Sequence, residues 1–358
     1  MSGGERIHDL MVIGSGFAGM AAALFAAQKG MDVVQAGATG GIDYSTGLID
    51  LMAVHPMEQG RTWDDPWAAI DAVCADIPEH PYARMARTDI AAAIDGFTDF
   101  LAAQGLPYEG GEGNVRVPTP AGTAKRTYRV PASVWPAVRA MQERAPALLV
   151  DFPGLKGYSG AQMVEALGRE WPGLRTAVVR FPGSSGELYP EHAAWALADD
   201  ARVRALAEAV APHLGDAEYV GFPALLGLLE PLAVVRRLED LLGRTVFEVP
   251  TMPPAVAGPR LRAAFDRGLP ALGVRTLTQK LVRSAEHADG VFTFRVGLPR
   301  SPEAVRAKAC ILAGGRFFGK GLRADRTRVR EAVFDLPVVQ PDARPDWHRE
   351  DFFDTRGH

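Results

Sequence analysis

Gly14, Ser15, Gly16 and Gly19 have the residue types and the spacing to hold a phosphate. They form G-x-G-x-x-G, in which the first glycine permits a tight turn and the second lets the backbone approach an anion. The third lets a helix pack closely on a strand. A second group, Ser45, Thr46 and Gly47, lies in the small, hydroxylated stretch Thr39–Leu51. Such a loop brings backbone N–H and hydroxyl groups against a polyol chain or a phosphate without bulk. A third group, Ala313, Gly314 and Gly315, opens the glycine-rich run that ends at Gly321. No residue in the chain stands out as a general base.

The elements around these groups set their positions. Leu10 to Ile13 reads as a short buried strand, Ala18 to Ala27 as an alanine-rich helix and Met31 to Gln35 as the second strand. A strand, a glycine turn and a helix within about 30 residues is the context that gives the motif meaning. The helix N-terminus then offers free N–H groups and positive partial charge to an anion. Near the other end, Gln279 to Ala285 and Gly290 to Gly297 flank Asp289-Gly290 and read as a hairpin. Ala307 to Leu312 follows as an apolar strand that stops at Ala313-Gly314-Gly315. Glycines at both strand ends would meet at the crevice where open α/β sheets bind ligands.

One part of the dinucleotide fingerprint is missing. Such sites usually close the second strand with Asp or Glu, which bonds a ribose 2′-OH, though some lack the acid. Here the stretch reads Val33-Val34-Gln35-Ala36-Gly37-Ala38-Thr39, and the acid's position falls near Gly37. This weighs against NAD and FAD together, since both carry an adenosine ribose. FMN has a phosphate and no adenosine half, so it needs no such acid.

Composition narrows the classes. At 358 residues the chain is long enough for about two domains. With 47% hydrophobic and 23% charged residues it can bury an ordinary core. A net charge of −4 gives no electrostatic footprint for nucleic acid. No apolar run approaches the ~18 residues of a membrane span, and the first strand begins without a signal-peptide core, so a cytoplasmic location is expected. Cys74 and Cys310 make no ligand cluster, and both read as small buried hydrophobes; no metal site is expected from this chain.

The middle of the chain reads as a second α/β layer. Ile90, Ile94, Phe97 and Leu101 form one helical stripe, and Gly110 to Pro120 reads as a loop or hairpin. Ala147 to Phe152, Leu174 to Phe181, Glu218 to Phe222 and Thr245 to Val249 read as strands. Helices are expected at Gly160 to Glu170 and His192 to His213. Lys125-Arg126-Thr127-Tyr128-Arg129 is either a phosphate or partner contact or a solvated strand face. Three prolines in Pro250-Thr251-Met252-Pro253-Pro254 fix an extended path into a helix near Pro259. That path is either a rigid crossover or a hinge presenting Arg260 and Arg262 to the cofactor.

Taken together, the chain resembles the flavoprotein superfamily of fumarate reductase and glycerol-3-phosphate dehydrogenase type. More narrowly, it resembles the B-subunit family of anaerobic glycerol-3-phosphate dehydrogenase. The resemblance runs nearly end to end. It rests on Val12–Gly19, Tyr44–Leu51, His80-Pro81-Tyr82, Pro250–Pro254, Ala313–Phe318 and the tail Trp347–Phe353. It implies a Rossmann-like flavin-binding domain (1–60 and 255–358) with an inserted second α/β domain (61–254) that acts as a cap or partner surface. It also implies an FMN subunit relaying electrons, beside a partner subunit that carries FAD and oxidises glycerol 3-phosphate. An iron–sulfur subunit would pass the electrons to the membrane quinone and hold the complex at the inner face of the cell membrane.

On this reading the flavin contacts are Gly14, Ser15, Gly16, Ala18, Gly19, Ser45, Thr46, Gly47, Ala313, Gly314, Gly315 and Phe317. Arg260, Arg316 and Lys320 are candidates to stabilise a reduced flavin by charge. Two other readings stand beside it. One is a self-contained FAD oxidoreductase acting on a small polar substrate, and the other is a flavin-poor scaffold subunit.

Overall fold

The computed structural model describes residues 6–38, 41–253 and 255–347. Thr39, Gly40, Pro254 and the tail beyond Trp347, all part of the sequence reading, lie outside the described residues. The chain divides into two compact units, Met1–Ile42 with Phe265–His358, and Asp43–Ala264.

The first unit opens with strand β1 (Ile7–Ile13), helix α1 (Phe17–Gln28) and strand β2 (Val33–Gly37). β2 lies two residues beyond the expected Met31–Gln35. Met31 is exposed, and Asp32 receives the Arg6 guanidinium outside the sheet. β2 must also reach Gly37 to keep step with β1, where Ile13 faces Ala36.

The second unit carries helices α2 (Pro66–Asp76) and α3 (Arg87–Ala103), then the hairpin β3 (Tyr108–Pro118) and β4 (Ala124–Pro131). Helix α4 (Trp135–Glu143) leads to β5 (Ala147–Asp151), α5 (Gly160–Leu167) and β6 (Leu174–Val178). Helices α6 (Pro190–Ala196) and α7 (Asp200–Val210) replace the single helix expected over His192–His213. The break comes at Asp199, whose carboxylate accepts from the Ala201 N–H and starts a new helix. Strand β7 (Tyr219–Pro223), helix α8 (Pro231–Leu242) and strand β8 (Thr245–Val249) complete a four-stranded sheet in the order β6-β5-β7-β8, parallel throughout. Its core holds Phe152, Trp171, Phe222 and Phe247, all fully buried.

Residues 43–60 and 255–264 belong to this second unit, so its junctions lie outside the expected limits of 61 and 254. The Ile49 N–H bonds Arg129 of β4, Asp50 pairs with Lys125, and Arg260 pairs with Glu248 of β8. Those bonds draw both flanks into the inserted unit.

Helix α9 (Ala257–Ala271) leads back to the first unit through β9 (Arg275–Thr278), β10 (Val282–Ala288), β11 (Val291–Leu298) and β12 (Ser301–Leu312). Asp289 and Gly290 both have positive φ, which gives the β10–β11 turn the primed geometry that suits a right-twisted hairpin. The sheet order is β10-β11-β12-β1-β2-β9, with β12, β1, β2 and β9 parallel. A small hairpin of β13 (Leu322–Ala324) and β14 (Val329–Glu331) follows. The α/β class, with parallel sheets and an insertion, is the one expected from the strand and helix pattern. Among the described residues no helix is long and apolar enough to cross a membrane.

Candidate functional site

Register brings the two glycine groups of the first unit together. Ile13 at the end of β1 faces Leu312 at the end of β12, and the Ala313 N–H donates to the Ile13 carbonyl at 2.7 Å. The Gly14 N–H reaches the Ala36 carbonyl of β2 at 2.8 Å. The turns after β1 and β12 and the end of β2 therefore share one edge of the sheet, the carboxyl edge. A crevice of about 220 Å³ opens there.

The glycines are needed in this packing. Gly14 has φ +124°, and a Cβ on it would lie 2.1 Å from the Ala313 carbonyl oxygen. A Cβ on Gly19 would lie 2.2 Å from the Gly14 carbonyl oxygen, so Gly19 seats α1 on the first turn and does not itself line the crevice. The Gln35 amide, buried in β2, donates to that same Gly14 carbonyl at 3.0 Å. Gly16 differs from both: a Cβ there meets nothing within 4 Å. It stands at the N-cap of α1, where no side chain caps the helix. The first-turn N–H groups lack helical partners, so this end of α1 favours an anion.

Position 37, where a ribose-binding acid belongs, is closed by geometry. A Cβ on Gly37 would lie 2.6 Å from the Ser15 backbone nitrogen and 2.7 Å from its Oγ. The Ser15 hydroxyl donates to the Ala38 carbonyl and ties the end of β2 to the glycine turn.

Of the residues singled out from sequence, Gly14, Ser15, Gly16, Ala313, Gly314 and Gly315 line this crevice. Ala18, Gly19 and Phe317 do not, and Phe317 is half exposed beside it. Ser45, Thr46 and Gly47 fall in the second unit. There the Ser45 hydroxyl accepts from the Gly47 N–H, and the Tyr108 phenol donates to the Gly47 carbonyl at 2.7 Å.

Arg260 must be withdrawn as a charge for the cofactor. It is buried and forms a two-pronged ion pair with Glu248 at 2.7 and 2.8 Å, while its Nε donates to the Gly227 carbonyl. Arg262 is likewise paired, with Asp43. The basic run on β4 is not a bare solvated face. Lys125, Arg126 and Arg129 each meet a carboxylate, those of Asp50, Asp64 and Asp95, and Tyr128 is buried.

Sequence reasoning missed Phe318 and Glu331, which also line the crevice. Glu331 sits on β14, and its carboxylate accepts the N–H groups of Val333 and Phe334. Nothing local in the sequence marks it, because its place depends on the β13–β14 hairpin. Burial pushes the Cys310 thiol up, which suits a packed side chain better than a reactive thiolate. No group of three or more His, Cys, Asp or Glu that could hold a metal occurs among the described residues.

Residues 9–357 match the family described as "FAD binding domain". A Halobacterium salinarum protein, named as the probable B subunit of an anaerobic glycerol-3-phosphate dehydrogenase, is 34% identical, over 96% of this chain and 82% of its own length. An Aliivibrio fischeri protein, named as the B subunit of an anaerobic glycerol-3-phosphate dehydrogenase, is 27% identical, over 98% of this chain and 82% of its own. The L-amino acid deaminase of Proteus myxofaciens, solved with anthranilate, is 13% identical with a TM-score of 0.32. That alignment covers 88% of this chain and 47% of the deaminase, a likeness too slight to carry an argument. The chain belongs to the FAD binding domain family of flavin-dependent oxidoreductases and, within it, to the B-subunit family of anaerobic glycerol-3-phosphate dehydrogenases.

Proposed function

We propose that this flavoprotein is the FMN subunit of an anaerobic glycerol-3-phosphate dehydrogenase. It receives electrons from glycerol 3-phosphate oxidised in an FAD-bearing partner and passes them towards an iron–sulfur subunit and quinone. The complex would sit at the inner face of the membrane through its partners. The names of the relatives support the assembly and the substrate.

The observation that carries the choice of FMN is position 37. The backbone there has no room for the side chain that would grip an adenosine ribose, because Ser15 occupies the space. The rest of the crevice fits a flavin's phosphate end. Gly14, Ser15 and Gly16 bring backbone against it, the uncapped start of α1 favours negative charge, and Ala313 to Gly315 form the facing wall. At about 220 Å³ the crevice is smaller than the ~300–1,000 Å³ that encloses a whole drug-sized ligand. It suits the phosphate and ribityl portion. When bound, the flavin supplies the redox chemistry, and the chain supplies grip and orientation.

A relay subunit needs no general base. The carboxylate that lines the crevice, Glu331, is already held by two backbone N–H groups, which favours a relay over a self-contained oxidoreductase. Anaerobic mixing tests the choice. Glycerol 3-phosphate should bleach this chain's flavin only when the FAD-bearing partner is present. Bleaching of the isolated chain would overturn the relay reading in favour of a self-contained enzyme. A colourless chain that still assembles with its partners and takes up no added FMN would overturn it in favour of a scaffold.

A further inference from the structure

Among the described residues many guanidinium and ammonium groups meet carboxylates, but two that line the crevice do not. Arg316 and Lys320 are exposed, and their side chains make no hydrogen bond or ion pair among the described residues. Both stand on the turn after β12. That turn is tightly closed: the Lys320 N–H donates to the Phe317 carbonyl and the Gly321 N–H to the Arg316 carbonyl, each at 3.0 Å. A Cβ on Gly319 would lie 2.7 Å from the Gly314 carbonyl oxygen, and one on Gly321 would lie 2.3 Å from that of Gly315. The two glycines let the turn fold back on its own start, so both cations project from one short, fixed piece of chain.

Lys320 itself has φ +60°. A left-handed backbone at a residue with a side chain is costly, and such outliers gather at ligand clamps. Glycine flanks this position on both sides and would adopt the conformation freely, yet lysine stands there. The negative charge in the crevice wall, Glu331, has its carboxylate on the Val333 and Phe334 N–H groups instead of on either cation.

A phosphate monoester carries more negative charge than each phosphate of a dinucleotide bridge. Backbone N–H groups and the end of α1 supply only partial charges. Full cations are the complement a monoester needs, with Arg presenting a fork that matches phosphate and Lys a point charge. We propose that Arg316 and Lys320 bind the phosphate monoester of FMN and make the site select FMN over riboflavin. This rests on the reading that the crevice holds FMN.

The experiment is a binding titration of the full chain stripped of flavin, followed by quenching of flavin fluorescence. The wild type should bind FMN far more tightly than riboflavin. Arg316→Gln and Lys320→Gln should each weaken FMN about tenfold, leaving riboflavin binding and the thermal midpoint unchanged. Arg316→Lys should recover part of the loss. FMN affinity should fall with salt in the wild type, and less steeply in the double variant. If both variants hold FMN as the wild type does, the clamp is wrong while the FMN reading stands. If the wild type binds FMN and riboflavin equally, selection by the phosphate is wrong. If it takes up FAD and not FMN, the FMN reading falls and the clamp falls with it.

Discussion

Two regions, the basic run on β4 with the start of α9 in the second unit and the glycine-walled crevice of the first, treat positive charge in opposite ways. In the second unit Lys125, Arg126, Arg129, Arg260 and Arg262 all face carboxylates. In the first, Arg316 and Lys320 line a glycine-walled crevice without side-chain partners among the described residues. Paired charge of this kind builds architecture, holding strand to loop and strand to helix. Charge without a side-chain partner among the described residues, set beside exposed backbone, is what the proposed anion site would use. Basic residues read alone do not make that distinction; their partners do.

The comparison breaks most visibly at Glu248. Glu248 is fully buried and Arg260 nearly so. Glu248→Gln would leave a buried guanidinium without its counter-charge and should cost about 3–5 kcal/mol, read as a lowered denaturant midpoint. Flavin binding in the fraction that stays folded should be intact. Selective loss of flavin with unchanged stability would mean that this pair serves the cofactor after all.

Gly16→Asp tests the other unit with the reverse expectation. The new Cβ has open space around it, so the fold should tolerate the change. The carboxylate would stand at the start of α1, where the proposed reading puts the flavin phosphate, and the protein should purify colourless with an unchanged melting temperature. Full flavin content in this variant would remove the phosphate from this end of the crevice. Gly14→Ala sharpens the point, because its Cβ would strike the Ala313 carbonyl and should lower stability as well as flavin content.

Smaller effects separate exposed ion pairs from backbone-held charge. Lys125 and Asp50 are each close to half exposed, so Lys125→Ala should change stability by no more than about 1 kcal/mol, and by less in high salt. Asp325, in the turn between β13 and β14, is held by the Thr327 N–H and hydroxyl and the Arg328 N–H. The Thr327 N–H is the main reason its carboxyl titrates at about 2. A folded value below the unfolded one means that its contribution is present above about pH 4 and is lost as pH falls through about 2. NMR titration should find that midpoint nearly independent of salt. A midpoint near 4 would show that the turn does not hold the carboxylate.

Much of the fold, and the meeting of the two glycine turns at one crevice, was legible in the sequence. A buried apolar run ending in G-x-G-x-x-G has few other uses, and Asp289-Gly290 between alternating strands specifies a hairpin. The missing acid at Gly37 was visible as a gap in a pattern, but its cause was not. That Ser15 fills the space is known only once β1 and β2 lie side by side. The same limit hid the fate of Arg260. Its partner Glu248 lies 12 residues earlier, on a strand whose contact with α9 only the folded chain creates. Glu331 and Phe318 entered the site through a turn and a small hairpin that carry no periodic signal.

The most direct measurement is the identity of the flavin released when the purified native chain is denatured, read by chromatography against FMN and FAD. The closed position at Gly37 and the cations of Arg316 and Lys320, unpaired among the described residues, together predict FMN. FAD would contradict the account, because its adenosine ribose would then be held without the acid that this backbone has no room to carry.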